Sequence, residues 1–246
     1  MGKKKRLDSI LFERGIAESR ERAKSLILAG RVFTGGARLD KAGAMIDLLA
    51  EIEVKGPDHP YVSRGGVKLD ALLEKFHINV NGKKALDVGA STGGFTDCML
   101  QRGAESVTAI DVGRGQIGWK IRSDQRVRLI EGLNARGVTP ENAGGPYDVV
   151  TIDVSFISLT LILGPVVNVT APGGVVAALV KPQFEAGREE VGKGGIVRDP
   201  KTHKRVVEKV RRFGATVGLD PVGEMESPIK GAKGNKEFFI VFRRRR

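Results

Sequence analysis

LDVGASTGGFTD, residues 86–97, joins an apolar run to a helical pattern through a turn of glycines, hydroxyl residues and a carboxylate. Glycines at such a turn let backbone N–H groups approach a ligand, and the helix that follows offers its N-terminal amides. The spacing is not the Gly-x-Gly-x-x-Gly of dinucleotide sites, and no Gly-Lys-Ser/Thr follows as in nucleoside-triphosphate loops. What remains is an acid two places before the first glycine and a Gly-Gly pair opening the helix. S-adenosylmethionine suits this turn: the glycines admit it close to backbone, and the acid favours its ammonium or sulfonium charge. Asp87, Gly89, Ser91, Gly93 and Gly94 are therefore candidate cofactor-binding residues.

Outward from the turn, strand-like and helix-like segments alternate. KKALDVGA, SVTAIDV, RVRLIEGL, YDVVTIDVS and GGVVAALVKP read as strands, with helical patterns after the first, second and fourth. This rhythm predicts an α/β body, a doubly wound, mainly parallel Rossmann-like sheet. RDPKTHKRVVEKVRRFGATVG reads as a long helix and NKEFFIVF as a final strand. Residues 154–180 carry no charge, a run long enough for a membrane span. Gly164-Pro165, Asn168, Pro172 and Gly173-Gly174 break it into pieces of helix and strand length, so it reads as core. Asp111 ends the second strand about twenty residues beyond Gly89, the distance at which an acid meets ribose hydroxyls in such folds. Asn134, at the end of the third, is a candidate for the adenine edge or for the cap of a turn.

The chain of 246 residues carries a formal charge of +12 and a sequence pI of about 10.0. A polyanionic partner is expected, nucleic acid ahead of an anionic membrane. The one cysteine, Cys98, excludes a disulfide framework and a cysteine-based metal site, and fits a reducing cytosol. His59, His77 and His203 have no ligand spacing, so no metal is expected. The basic start MGKKKRLDSILFERG lacks the apolar core of a signal peptide, which points to a cytoplasmic protein with no stable membrane association.

Residues 6–33 read as two short helices and a turn. Leu7, Ile10 and Leu11 make one apolar face, and Ala23, Leu26 and Ile27 the next. Ser19 has the chemistry of an N-cap, and Gly15 and Gly30 sit where C-terminal caps belong. Arg6, Arg20, Arg22, Lys24 and Arg31 occupy the polar faces, behind a basic arm from Lys3 to Arg6. Such a cluster can line phosphates. KGPDHPYVSRGG, 55–66, has no periodic pattern and the composition of a linker. The expected division is a small N-terminal α+β head at 1–58, a linker at 59–67 that adds Arg64 to the RNA-facing cations, and the body at 68–246.

Asp153, Lys181 and Glu237 lie at strand ends on the ligand side, and Lys68 follows VSRGG at the start of the body. Charges gathered in a crevice are costly unless paired, so a lysine–carboxylate cluster is the expected arrangement.

The head resembles the small RNA-binding domain (alpha-L motif) of ribosomal small-subunit protein four, also found in pseudouridine synthases. The likeness is carried by R-L-D, S-R-E-R-A and I-L-A-G-R-V, and it implies binding to structured RNA. Nearly end to end, through YVSRGGVKL, LDVGASTGGFTD, IDVGRGQ, DVSFISL, LVKPQFE, VGKGGIVRDP and GNKEFF, the chain resembles the TlyA family. These are FtsJ-like 2′-O-ribose methyltransferases of ribosomal RNA, sometimes labelled haemolysin A. The resemblance implies S-adenosylmethionine as cofactor, ribosomal RNA or a ribosomal subunit as partner, and a catalytic tetrad of Lys68, Asp153, Lys181 and Glu237. It also implies an in-line displacement in which a ribose 2′-OH, of a cytidine, attacks the methyl carbon while Lys181 orients and deprotonates it. The chain ends in RRRR straight after its last strand, without the additional helix of some family members, and this favours a large-subunit target. Two rival readings are a non-catalytic RNA-binding protein and a membrane-active haemolysin. The intact tetrad and glycine turn oppose the first. The lack of an uninterrupted apolar span or a lytic helix opposes the second.

Overall fold

The computed structural model describes residues 4–17, 19–28, 30–55 and 59–246, with Ala232 as backbone only. Lys3 of the basic arm and residues 56–58 of the expected linker lie outside the described residues. Two compact units form, Met1–Pro60 and Tyr61–Arg246.

In the first unit the order is β1 (Lys4–Arg6), α1 (Leu7–Glu13), α2 (Arg20–Leu28), β2 (Val32–Thr34), β3 (Ala37–Arg38), β4 (Met45–Asp47) and β5 (Glu53–Val54). β1 pairs with β4, and β2 lies between β3 and β5. Leu7, Leu11, Ala23, Leu26, Ile27 and Val32 close a small core, so the two expected helix faces meet each other. Ser19 Oγ accepts from Arg22 N at 3.0 Å, the bond expected of an N-cap.

The second unit continues with α3 (Gly65–Lys75), β6 (Lys84–Val88), α4 (Gly94–Gln101), β7 (Ser106–Asp111), α5 (Trp119–Arg122), β8 (Val127–Glu131) and α6 (Pro140–Ala143). Then come β9 (Tyr147–Ile152), α7 (Leu163–Val169), β10 (Thr170–Val180), α8 (Pro182–Glu185), α9 (Pro200–Thr216), β11 (Leu219–Glu226) and β12 (Phe238–Arg244). The strand order is β11-β12-β10-β9-β6-β7-β8. From β10 to β8 the pairs are parallel, and β12 is antiparallel to both its neighbours.

Strand alternation sends successive side chains to opposite faces, and both faces are covered. Leu86, Val88, Val150, Ile152, Ile240 and Phe242 pack under α7 and α9. Ala85, Val107, Val149, Leu179 and Phe239 pack under α3 and α4. Phe239 and Phe242 are wholly enclosed, each burial contributing about 1.5–3 kcal/mol. Cys98 belongs to the α4 face, and burial pushes its thiol up to about 12, which leaves it inert. The uncharged run 154–180 becomes a 3₁₀ turn, α7 and β10. Among the described residues, no helix is long and apolar enough to cross a membrane.

Two expectations need correction. The linker reading extended through residue 67, yet α3 starts at Gly65 and Tyr61 is buried in the core of the second unit. The glycines there serve packing: a Cβ on Gly66 would stand 2.2 Å from the Tyr61 ring. β11 was not anticipated as a strand. Its residues LDPVGEME are mostly exposed, it contains Pro221, and its register shifts between Pro221 and Gly223, all marks of an edge strand with one partner.

Candidate active site

The carboxyl ends of β6, β9 and β10 open onto a cleft of about 420 Å³. Lys181 follows β10, and its Nζ lies 2.6 Å from Asp153 Oδ1 and donates to Ser155 Oγ at 2.9 Å. Asp153 and Ser155 stand just beyond β9. β12 runs antiparallel, pairing Phe238 with Val180, so its first residues arrive at the same edge. Glu237 is the residue before β12, and Lys68 Nζ, on α3, reaches its Oε2 at 2.6 Å. The Glu237 side chain is 3% exposed and that of Lys68 11%. Lys68, Asp153 and Lys181 line the cleft, with Glu237 behind Lys68. The four residues picked out by strand position form two lysine–carboxylate pairs in one place.

Buried acids hold the supporting loops. Glu185, at the end of α8, accepts from Ser158 Oγ and Leu159 N, each at 2.6 Å, and pairs with Lys209 at 3.3 Å. It thereby ties the loop carrying Asp153 and Ser155 to the turn carrying Lys181. Asp97, in the first turn of α4, accepts from Val62 N at 2.8 Å and pairs with Lys120 at 2.9 Å. This fixes the segment leading into α3 against the helix that follows the glycine turn.

The glycine turn forms one wall of the cleft. Gly89 has φ +87°, and a Cβ there would meet Asp153 O at 2.5 Å, so only glycine lets this turn lie so close to the strand end carrying Asp153. Ser91 donates its N–H to Asp111 Oδ2 at 2.8 Å, while Asp111 Oδ1 accepts from Gly113 N at 2.6 Å. Asp111 thus shapes the turn from the end of β7. Gly94 packs against Ser63 Oγ, and Gly93, with φ +94°, makes room for Ile117 and Ile121 on its far side. A wall of backbone at Gly89, Ser91 and Gly94, next to the lysines and carboxylates, fits S-adenosylmethionine. Gly89, Ser91 and Gly94 line this cleft, and Asp87, Gly93, Asp111 and Asn134 do not.

Asp87 is placed differently from its sequence reading, and Asn134 takes the turn-capping alternative. Alternation along β6 turns Asp87 toward α4, where its fully buried carboxyl accepts from Thr96 Oγ1 at 2.7 Å and Thr151 Oγ1 at 3.1 Å. Asn134 accepts from Arg136 N at 3.0 Å as the cap of a 3₁₀ turn. Burial pushes the Asp87 carboxyl up to about 6 against the pull of the two hydroxyls. A raised folded-state value means that the stability it contributes is full below about 3.8 and is lost as pH rises through about 6. The melting temperature of Asp87→Asn, measured against the parent by calorimetry, should therefore improve from about pH 5 to about pH 8.

The expected RNA-facing cations divide between the units. Arg6 and Arg20 converge on the buried Asp8, Arg6 through bonds of 3.0 and 2.9 Å and Arg20 at 3.4 Å. The Arg6 bond holds the Asp8 carboxyl down at about 2. Both guanidinium groups stay about half exposed. Arg31 donates to Lys55 O at 3.0 Å, and Lys24 is exposed on α2. Arg64 belongs to the second unit, where it lines the cleft and donates to Lys230 O at 3.4 Å.

Ser63, Thr92, Ser155, Lys230 and Lys233 also line the cleft and were not singled out from sequence. Next to Ser155, Phe156 is 89% exposed at φ +65°, a conformation that bulky residues rarely adopt. The signal available for Ser155, Phe156 and Glu185 was their presence in DVSFISL and LVKPQFE, the strand ends from which only Asp153 and Lys181 were chosen.

Residues 61–244 match the FtsJ-like methyltransferase family and residues 5–49 the S4 domain. YqxC of Bacillus subtilis (strain 168) is 51% identical over 97% of this chain and 85% of its own length. The 16S/23S rRNA (cytidine-2′-O)-methyltransferase TlyA of Mycobacterium tuberculosis (strain H37Rv) is 45% identical over 99% of this chain and 91% of its own. A solved structure labelled as a hemolysin, from Streptococcus thermophilus, superposes with a TM-score of 0.78 at 45% identity, covering 100% of this chain and 90% of that one.

Proposed function

Since the chain belongs to the FtsJ-like methyltransferases and carries an S4 domain, we propose that it moves the methyl group of S-adenosylmethionine to the ribose 2′-oxygen of a cytidine in ribosomal RNA. The observation that carries this reading is the pair of lysine–carboxylate contacts meeting beside the Gly89 turn in one cleft. Bound in that cleft, the sulfonium cofactor supplies an electrophilic methyl carbon and leaves as S-adenosylhomocysteine.

The protein's share of the work is alignment and proton removal. Lys181, held by Asp153 and Ser155 in the same cleft as the Gly89 turn, is the group assigned to receive the hydroxyl. In its neutral form it accepts the 2′-hydroxyl proton as the oxygen–carbon bond forms, and Asp153 pairs with the ammonium produced. Lys68, fixed by Glu237, adds positive charge where the oxygen becomes electron-rich. Holding hydroxyl and methyl in line can supply about 7–11 kcal/mol of the acceleration, so positioning outweighs basicity. Phe156 offers an exposed ring beside the cleft, on which an unstacked base can lie. The Asp8-ordered Arg6 and Arg20, with Lys24 and Arg31, give the S4 domain a basic face for RNA phosphates.

The test is transfer of labelled methyl from S-adenosylmethionine to rRNA of both subunits, with nuclease mapping of the product. The expected mark is 2′-O-methylcytidine. Label on a base atom, or no label in RNA, would overturn the proposal.

A further inference from the structure

The cleft holds more positive charge than its own carboxylates answer. Glu237 and Asp153 are paired with Lys68 and Lys181, yet Arg64, Lys230 and Lys233 also line the cleft and are exposed at its mouth. Lys230 and Lys233 lie on the segment between β11 and β12, whose seat is well defined. Gly231 lies so close to Glu237 that a Cβ would stand 1.9 Å from its Oε1. Gly231 N donates to Asn235 O at 2.9 Å, and Ser227 N to Glu237 O at 2.8 Å. The Asn235 side chain, buried, accepts from Val197 N at 3.1 Å and donates to Gly195 O at 2.9 Å. Arg64 Nη2 donates to Lys230 O at 3.4 Å, which brings the third cation to the same side. Lys230 and Lys233 thus flank a glycine packed against Glu237, the partner of Lys68.

We propose that Arg64, Lys230 and Lys233 form a binding site for the phosphodiester groups flanking the target ribose. The enzyme then selects a sugar embedded in a polynucleotide over a free nucleoside. The inference rests on the RNA 2′-O reading and deepens it. In RNA the carbon next to the one bearing the 2′-hydroxyl carries the 3′-phosphate, so the reacting hydroxyl brings an anion into the cleft with it. Three neighbouring cations repel one another until an anion enters, and an arginine fork with two ammonium groups suits a phosphate oxyanion. The cofactor carboxylate is the other anion that reaches this region, and it is separated by experiment.

The full chain would be compared with Lys230→Ala, Lys233→Ala, the double variant and the corresponding arginine variants. Kd for an rRNA transcript, by anisotropy across a salt series, and Kd for S-adenosylhomocysteine, by calorimetry, are the readouts. Each lost phosphate contact should flatten the slope of log Kd against log salt by about 0.7–0.9. Arginine should restore the slope, and S-adenosylhomocysteine affinity should stay at the parent value. An unchanged slope in the double variant overturns the proposal, as does weakened S-adenosylhomocysteine binding, which would assign these cations to the cofactor. A parent protein that methylates no RNA would instead sink the underlying functional reading.

Discussion

Replacing Lys181 with alanine lowers kcat by about 10²–10⁴-fold, the range associated with loss of a general acid or base. Binding of S-adenosylhomocysteine stays near the parent value. The amine sits between Asp153 Oδ1 and Ser155 Oγ, while the Gly89 turn, the proposed cofactor wall, is backbone and does not depend on it. Asp153 left behind is 20% exposed and can recruit water, so the fold should survive. Single-turnover methyl transfer and calorimetry on one preparation check both halves. Undiminished turnover would remove Lys181 from proton transfer. Lys181→Arg should also be slow, because a guanidinium keeps the charge and cannot accept the proton.

Glu237→Gln should be the most damaging single change to stability. Lys68 and Glu237 are both shielded from water, and removing one partner of such a pair typically costs about 3–5 kcal/mol, because the other charge is stranded. In a unit of this size each kcal/mol lowers the melting temperature by roughly 2–4 °C. The joint replacement Lys68→Met with Glu237→Leu should recover much of that loss, since an apolar pair of similar volume is often neutral. It should nevertheless remain inactive. Scanning calorimetry and methyl transfer on both proteins would separate the roles, and an active double variant would reduce the pair to scaffolding.

The central strands were legible because they are covered on both faces: VVAALV is apolar without interruption, and in VVTI only Thr151 is polar. β11 hid because an edge strand needs only one partner and one dry face, so LDPVGEME carries almost no periodic signal. The KGPDHPYVSRGG stretch was misread for a related reason. Gly65 and Gly66 look like linker residues in composition, whereas their smallness lets α3 approach Phe95 and Tyr61. In the site, strand position sufficed to bring Asp153, Lys181 and Glu237 to one edge, because strand ends share an edge whatever their loops do, whereas Lys68 reaches it from α3. It failed for Asp87, since an acid one step short of a strand end follows the alternation of the strand and turns inward. Ser155, Lys230 and Lys233 lie in loops, where spacing says little about direction.

The Lys68–Glu237 contact joins positions 169 residues apart. Its acidic half arrives only when β12 slots between β10 and β11, and β11 has no other neighbour in the sheet. Pairings this distant along the chain form late in folding. Without β12 in place, Lys68 therefore lacks the counter-charge that steadies it.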